Sequence, residues 1–130
     1  MTHKLKLRTA TRNVMLDVTP EVQKTVERSG VRGGLACVFT PHTTAAVTVN
    51  EHADPDVARD MLMALGKLAP QKGDYRHYEE NSDSHIKSAL VGCSQTVIIE
   101  DGRLLLGQWQ GIFFCEFDGP RERELWVKIL

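Results

Sequence analysis

"SQTVIIEDGRLLLGQWQGIFFCEFDGPRERELWVKIL", residues Ser94–Leu130, decides how this chain is read. Asp101-Gly102 joins two aliphatic runs, and an Asp-Gly pair in that setting predicts a two-residue type I′ hairpin. "GIFFCEFD" and "ELWVKIL" supply two more strand-like runs, separated by a turn at Asp118-Gly119-Pro120. The expected arrangement is an antiparallel meander. One block inside it is odd for a strand: Gly107-Gln108-Trp109-Gln110-Gly111 sets an indole between amides and glycines. Trp109 reads either as a core indole or as the wall of a pocket, since glycines let a ligand or another backbone approach closely.

Upstream, strands and helices alternate. "HKLKLRT" has period two and reads as a half-exposed strand. A first helix is signalled by Thr19 as cap, Pro20 at the first helical position and Gly30 as its end. "GLACVFT" and "AAVTVNE" read as strands separated by "PHTT". Asp54 caps a second helix, Pro55 follows, and Val57, Met61, Leu65 and Leu68 recur at helical spacing as its expected buried stripe. After the polar stretch Gln71–Glu80, a short helix starts at Asn81 or Ser82, with Ile86, Leu90 and Val91 expected to face inward. The fold class is α+β: one compact domain, 1–130, with a mixed or antiparallel sheet covered by about three helices. Strands this apolar on both faces exceed the cover that three helices give, which predicts packing between subunits.

The bulk numbers exclude some functions. With 130 residues and a net charge of −1, the chain lacks the basic excess of a nucleic-acid or anionic-membrane binder. No apolar run approaches bilayer length, and the N-terminus has no signal-peptide apolar region, so a cytoplasmic protein is expected. Cys37, Cys93 and Cys115 are odd in number, lack CxxC spacing and read as buried free thiols.

The histidines are the best candidates for chemistry. His42 follows a strand beside Thr43 and Thr44, His77 lies in the polar stretch, and His85 lies in the first turn of the short helix. A helix start offers free N–H groups, so "NSDSHIK" can hold a phosphate, with Ser84 and Lys87 nearby, or can be a plain capped helix. Glu51, after Asn50 at a strand end, reads as base, metal ligand or solvated terminus. His52 reads as a loop residue. Arg121 and Arg123 follow a turn, where a guanidinium is either exposed or clamps phosphate.

In order along the chain, "HTTAAVTVNE", Asp54-Pro55 with Val57 and Asp60, Tyr75 and His77, "SHIKSALVG", "GRLLLGQWQGIFF" and "DGPR-R" resemble the YjbQ family, often labelled secondary thiamine-phosphate synthase. The resemblance implies a homotrimer and a pocket where His42, His77 and His85 hold a divalent metal (zinc or magnesium) or an anion. Within those blocks, Glu51 and His85 are the catalytic candidates. Thr43, Thr44, Asn50, Ser84, Lys87, Trp109, Gln110 and Arg121 are the candidates for contacts to a small phosphorylated metabolite. Gln108 departs from the family's usual threonine. The implied reaction joins a pyrimidine-methyl diphosphate to a thiazole phosphate with loss of pyrophosphate. The alternatives are a metal-dependent hydrolase or transferase on another phosphorylated metabolite, and a non-catalytic trimer that binds a small anion.

Overall fold

The computed structural model describes residues 1–130 as two antiparallel sheets and three helices. The strands are β1 (Thr2–Arg8), β2 (Val14–Asp17), β3 (Gly34–Phe39), β4 (Ala45–Glu51), β5 (Ser94–Glu100), β6 (Arg103–Leu104), β7 (Gln110–Glu116) and β8 (Glu122–Ile129). The helices are α1 (Thr19–Ser29), α2 (Pro55–Leu68) and α3 (Ser82–Val91). One sheet runs β1-β8-β3-β5-β6 and the other β2-β7-β4.

The two sheets face each other across the main core. Val38, Val97, Leu125 and Val127 come from the larger sheet; Ala45, Val47, Ile112 and Phe114 come from the smaller one, and all are buried. The opposite face of the smaller sheet is also covered. There Ala46, Phe113, Cys115 and Phe117 meet Leu62 and Leu65 of α2 and Val91 of α3. β7 is therefore buried on both sides, which is why "GIFFCEF" is apolar without alternation. The outer face of the larger sheet has no helix on it, and Leu35 and Ile98, paired in register, stand exposed there.

Several expectations are corrected. The last third is no meander: only β5–β6 is a hairpin, and the chain then changes sheet into β7 and changes back into β8. The hairpin itself is as read, with Asp101 at φ 53° and Gly102 at φ 75°. β6 stops at Leu104, because a turn closed by Gln110 N–H to the Gly107 carbonyl (3.1 Å) carries the chain across. Thr19 is the first residue of α1 rather than its cap. Its hydroxyl donates to Asp17 (2.6 Å) and accepts from the Ile112 N–H (2.8 Å). The α2 stripe is only half-covered, and Leu68 is exposed.

The largest correction concerns α3, which turns its polar side inward. Asp83, Ser84, Lys87 and Ser88 are buried, whereas Ile86 and Leu90 are exposed. Each buried polar group has a partner. Ser84 Oγ donates to the Phe117 carbonyl (2.6 Å), Ser88 Oγ to that of Ala45 (2.6 Å), and Lys87 Nζ pairs with Asp83 (2.9 Å). A reading by apolar period misses a helix packed through hydrogen bonds.

The strand ends are tied by Glu116, which is fully buried and receives both Nε and Nη2 of Arg123. Thr9 Oγ1 (2.7 Å) and the Asp118 N–H (3.0 Å) also donate to it, while Arg123 Nη2 reaches Thr44 Oγ1 (2.8 Å). Removing one partner strands the other's charge in the interior. Glu116→Ala is expected to cost about 3–5 kcal/mol in urea unfolding, and a loss below about 1 kcal/mol would show the pair to be dispensable.

Candidate functional site

His42 is held just before β4 by a backbone contact: the Glu124 N–H donates to its Nε2 at 2.8 Å. That bond requires a lone pair on Nε2, so the neutral ring carries its proton on Nδ1. Burial lowers the His42 pKa, and the nearby Arg123 and Arg121 guanidiniums act in the same direction against Glu116 and Glu124. The imidazole thus presents a neutral N–H donor.

His42 lies where two cavities meet. One, of about 480 Å³, is lined by Lys6, Leu7, Arg8, His42, Glu122, Arg123 and Glu124. The other, of about 500 Å³, includes Phe39, His42, Thr43, His85 and Cys93. His85 also lines a third cavity with Tyr75 and His77, and the His77 and His85 rings meet edge to face at 5.6 Å. His85 therefore shares one cavity with His42, the trench between those two residues, and a neighbouring cavity with His77; no one cavity holds all three histidines. Cys93 is exposed in that trench, contrary to its reading as a buried thiol.

The trench does not have the geometry of a three-histidine metal centre. No group of three or more His, Cys, Asp or Glu side chains converges on a common point. The Nε2 of His42 is occupied by the Glu124 N–H, and its Nδ1 carries the proton. The residues present do not fit the metal that the resemblance implies.

The α3 start is likewise not open to phosphate. Ser84 and Lys87 are buried and bonded within the protein. Asp83, also buried, is paired with Arg12 (3.1 Å) and Lys87. Thr44 is buried against Arg123, whereas Thr43 reaches the trench. Arg121 is half-exposed and paired with Asp118 (3.0 Å).

The remaining candidates lie elsewhere. Asn50, Glu51, Trp109 and Gln110 sit at the far end of the β4–β7 ladder, where Glu51 pairs with Gln110. Six strand steps separate Ala45 from Glu51, or about 20 Å. Glu51 Oε2 accepts the Ala53 N–H (2.8 Å), and Gln110 Oε1 accepts that of Gly107 (2.8 Å). Trp109 is 56% exposed, so it is neither a core indole nor part of the histidine trench.

That far end holds a pair missed in the sequence. His52 Nδ1 lies 2.8 Å from Asp17 Oδ2, and the His52 N–H donates to the Trp109 carbonyl (2.9 Å). A Cβ on Gly111 would meet His52 Nδ1 at 2.3 Å, so the imidazole occupies the space that glycine leaves. Burial alone would raise the Asp17 pKa, but bonds from the Thr19 hydroxyl and N–H, together with His52, outweigh it and hold the carboxyl below its ordinary value. Nothing in the sequence links positions 17 and 52; only the strand pairing brings them together.

With the geometry in view, known proteins give its lineage. The sequence model described as "UPF0047 protein YjbQ-like" matches residues 3–130. The chain belongs to the YjbQ family. Among its relatives, UPF0047 protein MJ1081 of Methanocaldococcus jannaschii is 52% identical, covering 100% of this chain and 94% of its own. YugU of Bacillus subtilis is 48% identical over 97% of this chain and 96% of its own. A solved family structure from Clostridium acetobutylicum superposes with a TM-score of 0.97 at 54% identity, covering 98% and 99% of the two chains. One from Sulfolobus solfataricus, described as of unknown function, gives 0.95 at 30% identity over 99% and 95%. The relatives share fold and family with this chain; their descriptions carry no reaction.

Two measurements check this electrostatic picture. Long-range ¹H–¹⁵N spectra at pH 8 are expected to show His42 neutral with its proton on Nδ1; an imidazolium or an Nε2–H tautomer overturns the assignment. Glu116, too, is held below the ordinary carboxylate value: burial pushes it up, and Arg123, Thr9 and the Asp118 N–H more than compensate. Groups with depressed folded pKa values stabilise fully above their unfolded values, and that stability is lost as pH falls through the folded values. The thermal midpoint is therefore expected to hold from pH 6 to 5 and to fall below about pH 4, with a smaller fall in Asp17→Asn.

Proposed function

We propose that the protein is a transferase of thiamine-phosphate-synthase type, acting as a cytoplasmic homotrimer on a small phosphorylated metabolite in the His42–His85 trench. One observation carries this reading: a neutral imidazole N–H, fixed by the Glu124 backbone, in a cavity lined by Lys6, Arg8 and Arg123 together with Glu122 and Glu124. Such a donor suits the departure of pyrophosphate. It strengthens its hydrogen bond as negative charge grows on the leaving oxygen and needs no reorganisation to do so. Lys6 and Arg8 are exposed beside it to meet phosphate oxygens, Arg8 by exchanging Glu122 (3.2 Å) for phosphate, while the charge of Arg123 behind it is balanced by Glu116.

His85 faces the same trench and is the candidate to handle a proton or orient the second substrate. The reaction joins a ring nitrogen of the thiazole phosphate to the methylene carbon of the pyrimidine diphosphate, and the carbon–oxygen bond to pyrophosphate breaks with its electron pair. No covalent intermediate on the protein is required, in keeping with a trench whose contribution is charge and orientation.

Purified protein supplied with both substrates is expected to form thiamine phosphate. His42→Gln is expected to lower kcat by about 100-fold, the scale of losing one such donor, with His85→Ala also impaired. Equal rates in wild type and His42→Gln would remove the trench from the reaction. Saturable stabilisation of the protein by pyrophosphate without turnover would instead favour a non-catalytic anion-binding protein.

A further inference from the structure

We infer that the chain carries a second site, on the helix-covered face of the smaller sheet. An apolar crevice beneath α2 binds one aliphatic chain, and His52, oriented by Asp17, is the general base that hydrolyses an uncharged ester at its head. The site is separate from the His42–His85 trench and independent of the reaction proposed there.

The crevice has a volume of about 420 Å³, within the roughly 300–1,000 Å³ of small-molecule pockets. Met15, Thr48 and Cys115 form its floor, and Met61 and Leu65 of α2 and Leu90 of α3 form its sides. It exists because α3 turns its polar side to the sheet, while α2 crosses with none of its residues buried. No charged side chain lines it, so a phosphate or carboxylate finds no partner inside. The unbranched thioethers of Met15 and Met61 adapt to a flexible chain. Thr48 is the one polar residue of the lining, a place for the carbonyl or hydroxyl of an otherwise apolar ligand.

Strand register puts the Asp17–His52 pair at the end of this floor. Asp17 and Thr48 both pair with Phe113, so the three share one row on the face that α2 and α3 cover. Met15, which lines the crevice, precedes Asp17 by two residues on the same face of β2, about 7 Å away. The imidazole is held from two sides. The Ile112 N–H donates to Thr19 Oγ1 (2.8 Å), the Thr19 hydroxyl donates to Asp17 Oδ1 (2.6 Å), and Asp17 Oδ2 lies 2.8 Å from His52 Nδ1. The ring also fills the space beside Gly111. With Nδ1–H on the carboxylate, the neutral ring presents the lone pair of Nε2, and the side chain is 32% exposed.

The nucleophile is water, since burial pushes the Cys115 thiol up to about 12 and leaves it an apolar wall. His52 Nε2 takes a proton from water as the water oxygen bonds to the ester carbonyl carbon. The bond from that carbon to the alcohol oxygen then breaks with its electron pair. The proton passes from Nε2 to that oxygen, and acid and alcohol leave.

The four methionines give a direct test of binding, because Met15 and Met61 line the crevice and Met1 and Met63 do not. In full-length protein labelled with ¹³C at the methionine methyls, 1-octanol is expected to shift Met15 and Met61 saturably and to leave Met1 and Met63 in place. From hexanol to octanol, Kd is expected to fall about fourfold for each added methylene. Ala64→Phe fills the crevice from an exposed position and is expected to abolish these shifts. Hydrolysis is read with p-nitrophenyl octanoate, where His52→Gln is expected to lose about 100-fold in rate while binding octanol as before. No saturable shift at Met15 and Met61 overturns the site, as do signals that change on dilution and resist octanol, which would show a copy of the chain covering it. Equal hydrolysis by wild type and His52→Gln overturns the role of the pair.

Discussion

A carboxylate with no access to water, Glu116, and the guanidinium of Arg123 together hold the two sheets in one alignment. The pair joins the end of β7 to the start of β8, and through Thr9 and Thr44 it reaches β1 and the approach to β4. Those segments belong to different sheets. An ion pair this deep contributes less to net stability than its Coulomb attraction suggests, because both groups lose their hydration. In the observed alignment neither buried charge is left alone, and a shift that parts the pair would strand both. The same alignment sets the Glu124 N–H against His42, so the tautomer at the trench results from a contact made for the interior.

A second consequence comes from β7, buried on both faces. Its inward residues join the core between the sheets, and its outward residues meet α2 and α3. A strand so enclosed can offer function only at its ends. The candidate groups do fall there, His42, Thr43 and Arg123 at one end and Trp109, Gln110 and the Asp17–His52 pair at the other. Separation along the ladder leaves the two groups of candidates about 20 Å apart.

Much of the local structure was legible. Asp101-Gly102 demanded its turn because two positive φ angles suit few residue pairs, and Asp54-Pro55 started α2 because the carboxylate accepts the Asp56 N–H (2.9 Å). α3 was placed correctly along the chain and turned the wrong way, since its inward face is held by Asp83, Ser84, Lys87 and Ser88. The change of sheet at Gly107–Gln110 was equally hidden: a turn residue tells where a chain bends, not which sheet receives it. Of the site, the resemblance pointed to three histidines, and His85 shares a cavity with each of the other two. Ser84 and Lys87 were misread because a hydroxyl and an ammonium at a helix start look alike in sequence whether they face solvent or a buried partner.

By itself the sequence determined element order, the strongest turns and caps, the doubly covered strand and the family, all of which depend on residue type and short-range spacing. Only the tertiary structure decided which nitrogen of His42 is free, that Glu116 meets Arg123, that Asp17 reaches His52, and that Trp109 stands apart from the histidines. Each of those facts depends on strand register between segments distant in the chain. A one-residue slip would reverse every side chain involved, and no local pattern records which register wins.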